Sequence, residues 1–208
     1  MIAEDLFELA PVIPVVVLDD AEAAVPLARA LVEGGLPVIE VTLRTPSALA
    51  AIARIAAEVP DAVVGAGTVV RPEDAERSAA AGAKFLVSPG CTARLQAAMV
   101  ATGLPFLPGV ATASEAIALL EGGITAMKFF PAEAAGGASY LKALGGPLPQ
   151  IRFCPTGGIS LRNAADYLAL GNVGCVGGSW LTPADAVRDG DWDHVGKLAS
   201  EAAALRAG

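Results

Sequence analysis

A single histidine, His194, stands among 208 residues, which excludes a metal centre built on several imidazoles. It lies in Asp-Trp-Asp-His-Val-Gly-Lys on the predicted last helix and reads as a helix-surface residue. Three cysteines, Cys91, Cys154 and Cys175, form neither an even framework nor a C-x-x-C, so they are expected as buried thiols in a reducing compartment. No Cys–His pairing near a strand end suggests a thiol nucleophile. Charge is scarce, at 17% of residues, and it leans acidic: 14 Lys+Arg against 22 Asp+Glu give a net −8. Basic clusters of the kind that bind nucleic acid or an anionic membrane are absent. Long apolar runs are absent too. Residues 95–114 and 167–184 carry no charge, but Gly103, Pro105, Pro108 and Gly109 break the first, and Gly171, Gly174, Gly177 and Gly178 break the second. Neither supplies the ~20 continuous apolar residues of a membrane span. The opening Met-Ile-Ala-Glu-Asp-Leu is acidic where a secretory signal is basic. A cytoplasmic globular protein is expected.

What is present is alternation. Val/Ile-rich runs at 11–18, 37–43, 62–68, 84–89, 105–110, 126–130, 150–155 and 174–178 read as strands. Between them lie alanine-rich amphipathic stretches such as 21–33, 47–58, 72–81 and 114–121. About eight strand–helix units point to a parallel sheet, either a (β/α)8 barrel or a doubly wound fold. No G-x-G-x-x-G follows the first strand, which lowers the dinucleotide-binding alternative. Pro89, Pro108, Pro131 and Pro155, spaced by 19, 23 and 24 residues, each read as the end of a strand, where the missing N–H is tolerated. Four such ends at unit spacing suggest loops gathered on one rim. The sequence therefore predicts an α/β (β/α)8 TIM barrel with a short N-terminal helix, as one domain over 1–208.

Charges inside strands carry the chemistry. In Pro-Val-Ile-Glu-Val-Thr-Leu-Arg-Thr the two-residue period puts Glu40, Thr42 and Arg44 on one face, and Ile39, Val41 and Leu43 on the other. With the aliphatic face against helices, Glu40 and Arg44 point into the barrel, Arg44 nearer the C-terminal mouth; a structural ion pair is the competing reading. In Ala-Met-Lys-Phe-Phe-Pro-Ala, Lys128 shares a face with Ala126 and Phe130. Burial there penalises the ammonium and favours the free amine, which attacks a ketone to form a Schiff base. The competing reading is a lysine with a buried stem and a head that snorkels to the rim. Late in the chain, Cys-Pro-Thr-Gly-Gly-Ile-Ser (154–160), with Ser160 as a helix cap, and Gly177-Gly178-Ser179 match the loops that hold phosphate in many barrels. Ordinary turns are the alternative.

Glu-Val-Thr-Leu-Arg-Thr (40–45), Val-Gly-Ala-Gly-Thr-Val (64–69), Ser-Pro-Gly (88–90), Lys-Phe-Phe-Pro-Ala-Glu (128–133), Arg-Phe-Cys-Pro-Thr-Gly-Gly-Ile (152–159) and Gly-Gly-Ser-Trp (177–180) occur in this order over nearly the whole chain. Together they closely resemble the 2-keto-3-deoxy-6-phosphogluconate (KDPG) aldolases, a family that includes 4-hydroxy-2-oxoglutarate (KHG) aldolase activity. The resemblance implies a class I aldolase, usually a homotrimer, of the Entner–Doudoroff route, with no metal and no cofactor. It implies Lys128 as the Schiff-base lysine and Glu40 as general acid/base. Arg44 and Thr68 match positions that bind the pyruvate carboxylate, and Pro89 lines that pocket. Phe130 joins the substrate-binding set. Thr156 matches a position linked to stereochemistry at C4, and Gly157, Gly158, Gly178 and Ser179 match the phosphate end. Gly65 and Gly67 are expected to keep the approach open. The partners implied are a phosphorylated 2-keto acid and pyruvate. Within enzymes the competitors are an aldolase for the C4-epimeric 6-phosphogalactonate, against which Thr156 argues, and a phosphate-binding isomerase, which needs no inward lysine. From another class comes a sugar-phosphate-binding barrel without turnover.

Overall fold

Mostly apolar runs make the strands and alanine-rich runs most of the helices, and the two alternate along the chain in a computed structural model that describes residues 2–206. The strands are β1 (Val12–Val16), β2 (Val38–Thr42), β3 (Val63–Gly67), β4 (Leu86–Val87), β5 (Phe106–Leu107), β6 (Gly109–Val110), β7 (Ala126–Phe129), β8 (Arg152–Pro155) and β9 (Val176–Gly178). Among the helices are α1 (Asp5–Leu9), α2 (Ala24–Glu33), α3 (Ala48–Glu58), α4 (Pro72–Ala80), α5 (Ala93–Ala101), α6 (Ala113–Glu121), α7 (Gly137–Leu144), α8 (Ala164–Leu168), α9 (Ala184–Asp189) and α10 (Trp192–Ala203). Residues 1 and 207–208 of the expected domain span lie outside the described residues.

All paired strands are parallel. One arc runs β5-β4-β3-β2-β1-β9 and the other β6-β7-β8. Parallel bridges Thr156↔Gly177 and Phe153↔Val173 close the gap from β8 toward β9. At the other gap, β5 and β6 are two halves of one stave, parted by Pro108. Proline lacks a ladder donor, so the predicted strand 105–110 is interrupted where it was expected to end. The carbonyl of Pro108 still accepts the Lys128 N–H at 2.9 Å. The result is the expected eight-staved TIM-type barrel with a short N-terminal helix. The predicted helix 21–33 begins as a 3-10 turn, Ala21–Ala23, before α2.

The two faces of each strand separate two cores. Outward residues Val12, Val16, Ile39, Val41, Val64, Ala66, Met127 and Phe129 pack against the helices. Inward residues Ile13, Val38, Phe85, Val87, Leu107, Ala126, Cys154 and Cys175 fill the barrel, and Leu6 and Phe7 of α1 join them at its N-terminal end. Toward the C-terminal end the lining turns polar, with Glu40, Thr42, Ser88, Lys128 and Thr156 all buried. Barrels of this kind carry their chemistry at that end. None of the described helices is long and apolar enough to cross a membrane.

Candidate active site

Strand alternation brings Lys128 from β7 and Glu40 from β2 together inside the barrel. Lys128 Nζ donates to Glu40 Oε1 at 3.1 Å and to Oε2 at 3.4 Å. The two side chains are only 6% and 4% exposed, so this pair is held out of water, unlike the surface ion pairs of Arg54, Arg94 and Arg188. Isolated buried charges are costly, and the direct contact offsets part of that cost. The Phe130 ring covers the ammonium at 5.5 Å from its centroid, following the shared face seen in the sequence. The reading of Lys128 as a snorkelling rim lysine does not describe this geometry.

Glycine makes the room. A Cβ at Gly67 would stand 2.1 Å from Glu40 Oε1, so the carboxylate occupies the space that a side chain on β3 would fill. The next residue, Thr68, is half-buried and adopts φ 59°, the left-handed region that a β-branched residue rarely enters. Backbone strain of this kind persists where the surroundings over-determine it. It turns the chain away from the strand just above Glu40.

Arg44 departs from its expected placement. β2 ends at Thr42, so Arg44 lies on the turn beyond the strand and is exposed at the rim, not buried inside the barrel. Its guanidinium is tied back nonetheless: Nε donates to Thr42 Oγ1 at 3.1 Å, and that hydroxyl donates to the Val16 carbonyl at 2.9 Å. Thr42 thus ties the Arg44 guanidinium to β1, a contact that nothing in the sequence signals, although its place on the Glu40 face is legible there. Pro89 follows β4 at the same rim and is half-buried. Before it, the fully buried Ser88 accepts the Gly109 N–H at 3.3 Å and joins the ends of neighbouring staves.

Thr156, just past β8, is buried, and its backbone bridges to Gly177 on β9. The glycine turn follows, with Gly157 at φ 99° and Gly158 at φ 79°. Its carbonyls are occupied: Thr156 O accepts from Ala132 N at 2.8 Å, Gly157 O from Glu133 N at 3.1 Å, and Gly158 O from Asn163 Nδ2 at 3.1 Å. The bridge turns the Gly157 N–H toward the Gly177 carbonyl, and among the described residues nothing accepts from the N–H of Gly158, which is open to an anion. Ser160 does not cap α8 as expected. That helix starts at Ala164, Asn163 takes the N-cap position, and Ser160 N donates to Asn163 Oδ1 at 2.8 Å. Gly178 ends β9, and Ser179 is exposed beyond it.

A cavity of about 670 Å³ opens beside Ser179 between the ends of β1 and β9, and neither Lys128 nor Glu40 lines it. The buried ion pair lies apart from this cavity, inside the barrel. Of the cysteines, Cys154 and Cys175 are buried as expected, and Cys91 is half-buried. Burial pushes the Cys91 thiol up to about 11, which keeps it protonated near neutral pH. His194 is exposed on α10, as read from the sequence.

The profile of the KDPG and KHG aldolases matches residues 3–198. A 2-dehydro-3-deoxy-phosphogluconate aldolase of Dickeya dadantii is 54% identical over 202 residues, covering 97% of this chain and 95% of that protein. The KHG/KDPG aldolase of Escherichia coli K12 is 52% identical over 200 residues, covering 96% and 94%. The crystal structure of the KDPG aldolase from Legionella pneumophila, with pyruvate captured at low pH as a covalent carbinolamine intermediate, superimposes with a TM-score of 0.95 at 45% identity, covering 98% of each chain. A matching profile, half-identical relatives and a shared barrel agree with the buried lysine–glutamate pair: this chain belongs to the KDPG and KHG aldolase family.

Proposed function

We propose that this chain is a class I aldolase that cleaves 2-dehydro-3-deoxy-6-phosphogluconate to pyruvate and D-glyceraldehyde 3-phosphate through a Schiff base on Lys128. The observation that carries this reading is the buried contact of Lys128 Nζ with Glu40 Oε1 at 3.1 Å, at the end of the barrel where such enzymes act. Glu40 accepts a proton from the lysine and frees the amine to attack the C2 carbonyl. Returned to the carbinolamine oxygen, that proton lets water leave and the iminium form. Glu40 then takes the C4 hydroxyl proton as the C3–C4 bond breaks. The aldehyde departs, and the bonding electrons pass into the iminium to give an enamine. Protonation at C3 and hydrolysis release pyruvate and restore the amine.

Arg44 and Thr68 hold the carboxylate in this reading, the first through a planar fork and the second through a hydroxyl. Pro89 and Phe130 flank the keto acid. Thr156 governs configuration at C4, and the turn at Gly157 and Gly158, with Gly178 and Ser179, receives the phosphate. The same centre would cleave 4-hydroxy-2-oxoglutarate to pyruvate and glyoxylate, since that substrate has the reacting atoms without the phosphate. No cofactor or metal enters any of these steps. We further propose a homotrimer, a cytoplasmic location and a single barrel domain over 1–208.

The test is incubation of the purified protein with the phosphorylated substrate and a chelator, with pyruvate followed by NADH oxidation through lactate dehydrogenase. Turnover is expected to be undiminished by the chelator and selective for this substrate over its C4 epimer. Tight substrate binding by the folded protein without pyruvate release would instead make it a sugar-phosphate-binding barrel.

A further inference from the structure

Glu133 closes the Lys-Phe-Phe-Pro-Ala-Glu motif, yet none of the roles above uses it. Its residue is exposed at the surface, but its side chain is engaged. The hydroxyl of Tyr167, on α8, donates to Glu133 Oε1, and Tyr167 as a residue is only 1% exposed. Glu133 also braces the glycine turn in two ways. Its N–H donates to Gly157 O at 3.1 Å, and its Cγ and Cβ lie 2.5 and 2.7 Å from where a Cβ on Gly158 would stand. The preceding Ala132 N–H holds Thr156 O at 2.8 Å. A carboxylate stacked on a turn whose Gly158 N–H is open to an anion would repel a phosphate unless its charge were fixed elsewhere. Tyr167 supplies that fixing donor. Burial, and then the neighbouring Glu133, hold its phenol well above the ordinary 10, so it stays protonated and donating.

We propose that Tyr167 and Glu133 are a positioning pair that holds the Gly157–Gly158 turn in its anion-receiving shape and holds the Glu133 charge away from the substrate phosphate. The inference rests on the reading of that turn as the phosphate end. Neither residue touches the reacting carbons, so the pair sets selectivity for phosphorylated over unphosphorylated substrate, and not the rate of C–C cleavage.

The test is steady-state kinetics with the phosphorylated substrate and with 4-hydroxy-2-oxoglutarate. Tyr167→Phe removes one oxygen. It is expected to raise KM for the phosphorylated substrate about tenfold, the effect of losing one hydrogen bond to a charged group, with kcat and the constants for the unphosphorylated substrate unchanged. Glu133→Asp, at an exposed residue that does not threaten folding, keeps the charge but pulls it out of reach of Tyr167, and should give the same rise. Glu133→Gln keeps an acceptor for the hydroxyl and should bind like wild type. Adding it to Tyr167→Phe should recover much of the lost affinity, because the freed charge is gone. A merely structural role would not produce that recovery. An equal loss with both substrates, or no change with either, overturns the pair. Ser179→Asp, measured in parallel, tests the underlying reading. If it raises KM while Tyr167→Phe and Glu133→Asp do not, the pair is refuted and the phosphate end stands. If none of the three raises it, both fail.

Discussion

A methyl group placed on Gly67 tests how closely Glu40 must be held. Its carbon would lie 2.1 Å from Glu40 Oε1, 2.5 Å from Cγ and 2.6 Å from Cδ. Carbon atoms settle at about 3.5–4.0 Å, so the side chain of Glu40 must withdraw by about 1 Å. The contacts to Lys128 start at 3.1 and 3.4 Å, and a withdrawal of that size breaks them. Misplacing a reacting group by about 1 Å costs on the order of 10²-fold in rate. Gly67→Ala is therefore expected to lower kcat about 100-fold, near 2.7 kcal/mol of transition-state stabilisation. Gly65→Ala is the control on the same strand. Its methyl would meet the Phe85 ring at 2.5 Å, in the apolar interior below the site. Overpacking there should cost about 1–3 kcal/mol of stability while the fraction that folds still turns over. Coupled pyruvate release measures the first effect, and chemical denaturation the second. If Gly67→Ala folds and keeps kcat within about threefold of wild type, the position of Glu40 does not limit the chemistry and the reasoning fails.

Glu40→Gln keeps shape but cannot carry the proton, so turnover should fall by about 10²–10⁴-fold while pyruvate is still trapped at Lys128. Thr42→Val removes the hydroxyl that accepts the Arg44 Nε–H, and it should raise the substrate KM about tenfold with kcat little changed, as steady-state rates would show. In the capping box of α6, Glu115 accepts the Ala111 and Thr112 N–H groups, and chiefly the Ala111 bond holds its carboxyl below the usual 4.5. A carboxyl lowered on folding stabilises above its unfolded value and loses that contribution as pH falls through the folded one. Glu115→Gln should thus destabilise by about 0.5–1 kcal/mol at neutral pH, a modest value for an exposed cap, and the gap to wild type should close as melting is followed below pH 4.5.

The inward placement of Glu40 and Lys128 is legible because strand periodicity is local: apolar neighbours at 39, 41, 127 and 129 commit the other face to the helices. The barrel was legible for the same reason, since each strand–helix unit announces itself within about 25 residues. What escaped depends on where strands stop and which residues meet across them. Arg44 lies outside the barrel because β2 stops at Thr42, two residues short of it, and no local period marks that end. Pro108 resembled the strand-ending prolines in its local sequence, and only pairing on both sides of it reveals one interrupted stave. The left-handed turn at Thr68 has no signal in a residue type that disfavours it. Gly67 was expected to leave an approach open, whereas it makes room for the carboxylate of Glu40, a fact set by how β2 and β3 lie together. The Tyr167–Glu133 contact joins residues far apart in sequence, and neither has a periodic reason to meet the other.

The most direct measurement is borohydride reduction in the presence of pyruvate, followed by mass analysis of the modified peptide. One pyruvate-derived group is expected on Lys128, with parallel loss of activity, and no labelling in Lys128→Arg, whose guanidinium stays protonated and cannot form an imine. Labelling at the exposed Lys84 or Lys142, or inactivation with Lys128 unmodified, would contradict a Schiff base on the buried lysine.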